Sequence, residues 1–553
     1  MSKDERKWRG GGQTNYRSQP RAFIPPLFSS LCLCASVVFP LFPLFLLTIW
    51  AAGCSSSTSQ SEAAAPASAA NSQIVEELFA NAVGLLNDLD QFDPSDALPQ
   101  VVNRLNQWIA TRRPIANWQV DPLVGKLAPE FRKLPPLAGL AELHFDREDG
   151  LGLQEAVWLR EAARWIVGRQ SDELTRARRL FDWTVRNIEL VPDEPASGEK
   201  AKQPEWPHRP WETMLFGRGR AVDRAWVFIL LARQQGLDVV LLAADSPEAR
   251  RGDLPRHWLP ALVLDKSLYL FDPEWGLPIP GPEGRGVATL EQALAQPQIF
   301  ERLAIDKKHP YRLQANDLKR LVVLVEGSPY YLSQRMELLE LHLAGADRIV
   351  LSMDASGLAS RVESLPHVAG GRLWNLPYRR LAEKYAASPE QLQQANQQIN
   401  VFRLPTRNLW KARVLHLMGR FTGSRGAIHY YQLCRPADKE IAAALAEDKV
   451  DQQLVALARR AKQDAGYWLG LLAFERGLYE TAVDYFRNRT LQPHPDGPWT
   501  EGAHYNLARA YEALGNWADA TTQFDATRSA QRAGNRVRAG RLKPEQPQKD
   551  TKE

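Results

Sequence analysis

Between Gly217 and Gly276 the hydrophobic period changes from helical to strand-like, and that change leaves few folds open. From Val222 to Gln235 apolar side chains fall on every side of the helix (VDRAWVFILLARQQ), and Gly236, a common helix stop, follows at once. A helix apolar all round has to be surrounded by other elements. Three apolar runs of strand length come next, Val239 to Ala244, Trp258 to Leu264 and Ser267 to Phe271. The pattern predicts one buried helix feeding a small antiparallel sheet. His257 opens the second strand, and Asp272 closes the third.

These residues carry a resemblance. The segment is similar to the core of the transglutaminase-like branch of the papain-like cysteine peptidase superfamily. That family's pattern reads roughly G-x-C-x-D-x-A, an apolar helix, R-x-x-G-[IL], then H-x-W and D-P. Gly219, Asp223, Ala225, Arg233, Gly236 and Leu237 stand at the matching places, followed by His257-Trp258 and Asp272-Pro273. The upstream helix of such domains is matched by ELTRARRLFDWTVRNIEL, with Leu180, Phe181, Val185 and Ile188 on one face. The resemblance covers about residues 150 to 300. It implies an α+β fold in which a thiol at a helix N-terminus, a His and a carboxylate act on peptide or isopeptide bonds.

The chain departs from the family at two positions. His and Trp are adjacent here, one residue closer than usual, and the nucleophile position is Ala221. Alanine has no lone pair with which to attack. Cys32, Cys34, Cys54 and Cys434 are all remote from Ala221 in sequence, and its neighbours Arg220 and Val222 carry no hydroxyl. The expected site is therefore a pseudo-triad, His257 and Asp272 being vestigial. The alternative is a hydrolase or acyltransferase working through an unorthodox nucleophile, or through these two residues activating water.

The N-terminus reads as a targeting signal. Lys3, Arg6, Lys7, Arg9, Arg17 and Arg21 precede an apolar stretch from Phe23 to Trp50, then AAGC and a Ser/Ala-rich linker, residues 54–72. The order resembles a bacterial lipoprotein signal, residues 1–53, with Cys54 the lipid attachment site. An uncleaved anchor over Phe23 to Trp50 is the alternative, though Pro25, Pro26, Pro40 and Pro43 suit a spanning helix poorly. Either version places the body in the cell envelope, outside the cytoplasm and tethered to a membrane. Six basic and two acidic residues lie in the first 53, so of the formal +5 only about +1 belongs to the rest. A near-neutral body argues against nucleic acid as the partner. With Cys434 the one thiol left in the body and ten His in the chain showing no ligand spacing, neither a disulfide nor a metal site is expected, nor any cofactor.

For the remainder, composition and period give coarser expectations, and the whole reads as a multidomain α+β protein. Residues 73–149 read as helical: Ile74, Leu78, Ala82, Leu85 and Leu86 share a face, and Asp93 or Ser95 caps a second helix through Val101, Leu105 and Ile109. A further helix is predicted over Leu153 to Val167. The long loop before the central helix holds Trp206 and Trp211, which with Trp226, Trp258 and Trp275 form a Trp-rich stretch. Those indoles either line a cleft that holds sugar rings or peptide side chains, or pack in a core. Residues 301–405 read as an α+β connector: in LKRLVVLVEGSPYYLSQRMELLELHL a helix, a turn at Gly327-Ser328-Pro329 and a second helix, then a strand at DRIVLSMD, and a strand passing into a helix at GGRLWNLPYRRLAEKY.

The C-terminal segment, residues 406–527, repeats itself. Leu469, Gly470, Ala482 and Phe486 recur 38 residues later as Leu507, Ala508, Ala520 and Phe524. With Tyr511 and Gly515, the second copy resembles a tetratricopeptide repeat, and a weaker unit carries Ala427 and Tyr431. Such arrays bind protein segments, the alternative being a helical cap on the preceding domain. Residues 528–553, polar and basic, are expected to be disordered. The function expected is a membrane-tethered, non-catalytic protein that binds protein or peptide partners.

Overall fold

The computed structural model describes residues 65–192, 208–446 and 451–542. The leader with Cys54, Trp206 and residues 543–553 lie outside the described residues. Two helices open the described chain, α1 (Ala65–Asn87) and α2 (Pro94–Ile109). They pack as a hairpin in which Asp93 caps α2 by accepting from the Ser95 amide at 3.0 Å. Next come α3 (Arg147–Val167), which starts in an Asp146/Asp149 capping box, and α4 (Glu173–Asn187). A short strand β1 (Glu189–Leu190) follows, and after residue 207 come α5 (Pro210–Phe216), β2 (Arg218–Gly219) and the central helix α6 (Ala221–Arg233).

The central helix is buried on nearly every side, as its composition demands. Gly236, at φ +68°, turns the chain into β3 (Asp238–Ala244), antiparallel to β4 (Trp258–Leu264), which pairs with β5 (Ser267–Asp272) and through it with β6 (Leu277–Pro278). On the far side of β3 the sheet continues with β7 (Leu321–Val325), antiparallel, and β8 (Val368–Leu373), parallel to β7, giving the order β6-β5-β4-β3-β7-β8. The sheet thus runs across residue 300, where the resemblance read from the sequence ends.

Strict alternation divides the sheet into two faces. Val239, Leu241, Ala243, Trp258, Leu262 and Phe271 join the core that holds α6. There the rings of Phe181, Phe228 and Phe271 meet with centroids 5.0 to 5.3 Å apart. Val240, Leu242, Leu259, Ala261, Leu268 and Leu270 face a second core under other helices. A sheet covered on both sides explains why its strands read as continuous apolar runs.

Two expectations for the later segments need correction, and a third is met. Leu321–Val325, expected to be helical, is strand β7 with all five side chains buried. A run this short cannot be assigned by period, and the open edge of β3 supplies its hydrogen bonds. Conversely, DRIVLSMD forms no strand: the amides of Val350, Leu351 and Ser352 are taken by Gln234 Oε1 and Glu340 Oε2 at 2.7 to 3.1 Å. The third expectation, GGRLW passing into a helix, is met by β8 followed by a further helix. Between β7 and β8 lie α7 (Gln334–His342) and α8 (Ala355–Glu363), and past β8 come α9 (Leu376–Tyr385), α10 (Pro389–Ile399) and α11 (Asn408–Leu417).

The C-terminal helices are α12 (Gln452–Glu475), α13 (Tyr479–Asp484), α14 (Thr500–Ala513), α15 (Trp517–Ala526) and α16 (Arg532–Leu542). The last of these corrects the expectation of disorder for residues 532–542. Polar side chains dock it: Arg224 of α6 donates to Gln531 Oε1 at 2.6 Å, and Asn535 donates to Thr527 Oγ1 at 3.0 Å. Composition cannot reveal a helix held by hydrogen bonds rather than apolar area. The helices α12 to α15 also lie against the core, where Asn506 donates to the Arg186 carbonyl, the Gly502 amide to Glu189, and Arg509 to Asp182. The described residues form one compact unit of mixed α and β structure. Among the described residues no helix is long and apolar enough to cross a membrane.

Candidate binding cleft

The central helix and its sheet bring Ala221, His257 and Asp272 to one end of the unit, but not to one face. Ala221 is the first residue of α6, 4% exposed, in the core on the helix side of the sheet. Trp258 points to that same side. His257, one residue earlier, continues the ladder through its carbonyl, which accepts from the Ala244 amide at 2.9 Å, so its side chain falls on the opposite face. There its Nδ1 lies 3.3 Å from Asp317, in the turn Ala315–Leu318 that packs into the second core. With His257 directly before Trp258, the imidazole falls on the face turned away from α6.

Asp272 shares the outer face with Leu268 and Leu270, and its oxygens are fully engaged. Oδ1 accepts from the amides of Glu274 and Trp275 at 2.9 and 3.0 Å. Oδ2 accepts from the Tyr311 hydroxyl at 2.5 Å and pairs with Arg312 at 3.2 Å. No hydrogen bond joins Asp272 to His257. It is a buried turn carboxylate that organises the DPEW corner.

The N-terminus of α6 is closed in its own way. The Arg220 amide donates to Asp223 Oδ2 at 2.9 Å, and Arg380 of α9 pairs with Asp223 Oδ1 at 3.3 Å. Beyond Arg380 the surface opens into a cavity of about 1170 Å³, which takes in Trp226 of α6. Its walls are α2, the start of α3, α5, α9 and α10, with Trp410 of α11 in the lining as well. A volume of this size exceeds what a drug-sized ligand needs and suits a chain segment.

Aromatic and cationic side chains shape the interior. Trp211 and Trp410 both pack against buried Trp158, with centroids 5.8 and 5.7 Å from it. Both indoles are nearly buried, and neither Nε1 finds an acceptor. Gln154, 1% exposed, likewise leaves its Oε1 without a donor. With Arg380 Nε and Arg407 Nε, five lining side chains leave a buried polar atom without a protein partner, where buried polar groups ordinarily find one. Behind this wall Glu155 is wholly buried, accepting from the Trp211 amide at 3.0 Å and from the Tyr330 hydroxyl. Burial pushes its carboxyl above the ordinary value.

Six cations line the cleft: Arg147, Arg209, Arg380, Lys384, Arg403 and Arg407. Glu148 bridges Arg209 and Lys384 at 3.1 and 2.6 Å, Asp223 holds Arg380, and Asp93 holds Arg407. Arg403 bonds only to neutral Asn396, at 3.2 Å, and Arg147 has no ion-pair partner among the described residues.

Of the Trp-rich stretch, Trp211 and Trp226 line this cleft, while Trp258 and Trp275 are buried outside it. The cationic wall and Trp410 escaped sequence reading because they come from segments assigned to different domains. The pair Arg380 and Lys384, four apart on one helix face, was the visible signal. No family model, curated protein or solved structure matches this chain.

Proposed function

We propose that this chain is a non-catalytic binding protein of the bacterial cell envelope, tethered to a membrane at its N-terminus through Cys54 or an anchor helix. In this reading its central α+β unit is a degenerate transglutaminase-like domain that holds a peptide segment of a partner protein. The observation that carries it is the contrast between the two ends of the α6 neighbourhood. At the nucleophile position there is a buried Ala221, with His257 and Asp272 across the sheet and bonded elsewhere. Beside it lies a wide cleft whose walls hold unpartnered donors and acceptors. The C-terminal helices, tetratricopeptide-like in sequence, spend one face on the core, so the cleft rather than the repeats is assigned as the ligand site.

The test uses the full chain in detergent on an array of random peptides, beside Leu392→Asp, Ala221→Cys and Ala221→Cys/His257→Ala variants. Leu392 lines the cleft and is 44% exposed, so its substitution leaves the fold alone. The natural protein is expected to retain a subset of peptides without cleaving or cross-linking them, and Leu392→Asp to lose that retention about tenfold. The Ala221→Cys thiol is expected to react with an alkylating reagent at the same rate whether or not His257 is present. Peptide cleavage or amine transfer that disappears with His257→Ala would replace this reading with the unorthodox enzyme.

A further inference from the structure

The cleft's charge and hydrogen-bonding inventory narrows the kind of chain it holds. Four of its six cations are already answered by protein carboxylates, and the acids in the lining are spent as well. Asp93 serves Arg407 and the cap of α2, and Glu212 accepts from the Arg209 amide at 2.8 Å. What remains for a ligand is Arg147 and Arg403, both exposed and neither facing a carboxylate, which leaves the cleft an excess of positive charge.

We infer that the cleft takes an extended acidic peptide, its carboxylates meeting Arg147 and Arg403 and its apolar side chains lying on the aliphatic wall of α2 and α10; this rests on the peptide-binding reading above. Two observations favour a peptide over another polyanion. The unpartnered groups are of both kinds, N–H donors on Trp211, Trp410, Arg380 and Arg407 and an acceptor on Gln154. A peptide backbone brings one donor and one acceptor per residue, whereas phosphate or carboxylate groups alone leave Gln154 Oε1 unanswered. The wall is also aliphatic, with Leu98, Val102, Leu392 and Ile399 in the lining. Such surface gains from apolar side chains, and an acidic saccharide has none to offer.

Fluorescence anisotropy with the full chain in detergent tests this, using a labelled peptide of alternating Glu and Leu, its Gln–Leu and Lys–Leu counterparts, and polygalacturonate as an acidic glycan. The Glu–Leu peptide should bind about tenfold more tightly than the Gln–Leu peptide, and the gap should shrink as salt is added. Arg147→Glu and Arg403→Glu, both exposed positions, should each weaken the Glu–Leu peptide about fivefold and leave the Gln–Leu peptide unchanged. Leu392→Asp should weaken both. Equal affinity for the Glu–Leu and Gln–Leu peptides, unaffected by either Arg→Glu change, overturns the acidic specificity while the peptide-binding reading stands. Polygalacturonate binding as tightly as the Glu–Leu peptide overturns it in favour of a glycan. Failure of every peptide overturns both.

Discussion

Glu155 sits behind the cleft wall, out of contact with the cavity itself. This carboxyl is wholly buried and holds two parts of the cleft wall, the Trp211 amide and the Tyr330 hydroxyl. Because burial raises its pKa above the unfolded value, the stability tied to its protonation is fully present below the unfolded pKa and is lost as pH rises through the folded one. Glutamine does not titrate, so Glu155→Gln should gain melting temperature relative to the natural protein between about pH 5 and pH 8. Thermal melts at the two pH values check this, and a difference that stays constant contradicts it. At the same scale, Ala221 and the adjacent His257-Trp258 pair were legible as departures from a family pattern. What that pair does to the imidazole was not, since it depends on which face of β4 Trp258 takes.

Among the elements, those with a strong period were legible and those held by particular contacts were not. The central helix and its first three strands fall within a residue or two of their predicted limits, because a helix apolar all round followed by strand-length runs admits little else. The strand β7 was misread since five apolar residues carry no period, and α16 was missed since its docking is polar and steric. Gly534 shows the steric part: a Cβ there would stand 1.8 Å from the Trp275 carbonyl. Gly534→Ala should therefore lift α16 off the core, cost about 1–3 kcal/mol of stability, and open the segment after Thr527 to protease. Denaturant titration with limited proteolysis reads both effects. Unchanged stability and an uncut tail would mean that α16 is held by something other than this contact.

For the molecule as a whole, the cleft could not be read from sequence because its walls are gathered from residues some 300 positions apart, from Asp93 to Trp410. Each contributing segment looks bland alone: a capped helix, a Trp-bearing loop, a basic helix, the start of the repeats. Only the sheet, which draws the connector onto the α6 unit, and the C-terminal helices, which pack back on α4, place them together. The same packing turns the repeats toward the core. The central claim is that the ligand enters the cleft and leaves His257 and Asp272 untouched. Amide hydrogen exchange of the full chain, with and without a saturating Glu–Leu peptide, tests it most directly. Protection is predicted in Pro94–Ile109, Leu376–Tyr385 and Pro389–Ile399, with no change at His257 or Asp272 and the peptide recovered intact. Protection centred on His257 and Asp272, or a cleaved peptide, would contradict the account.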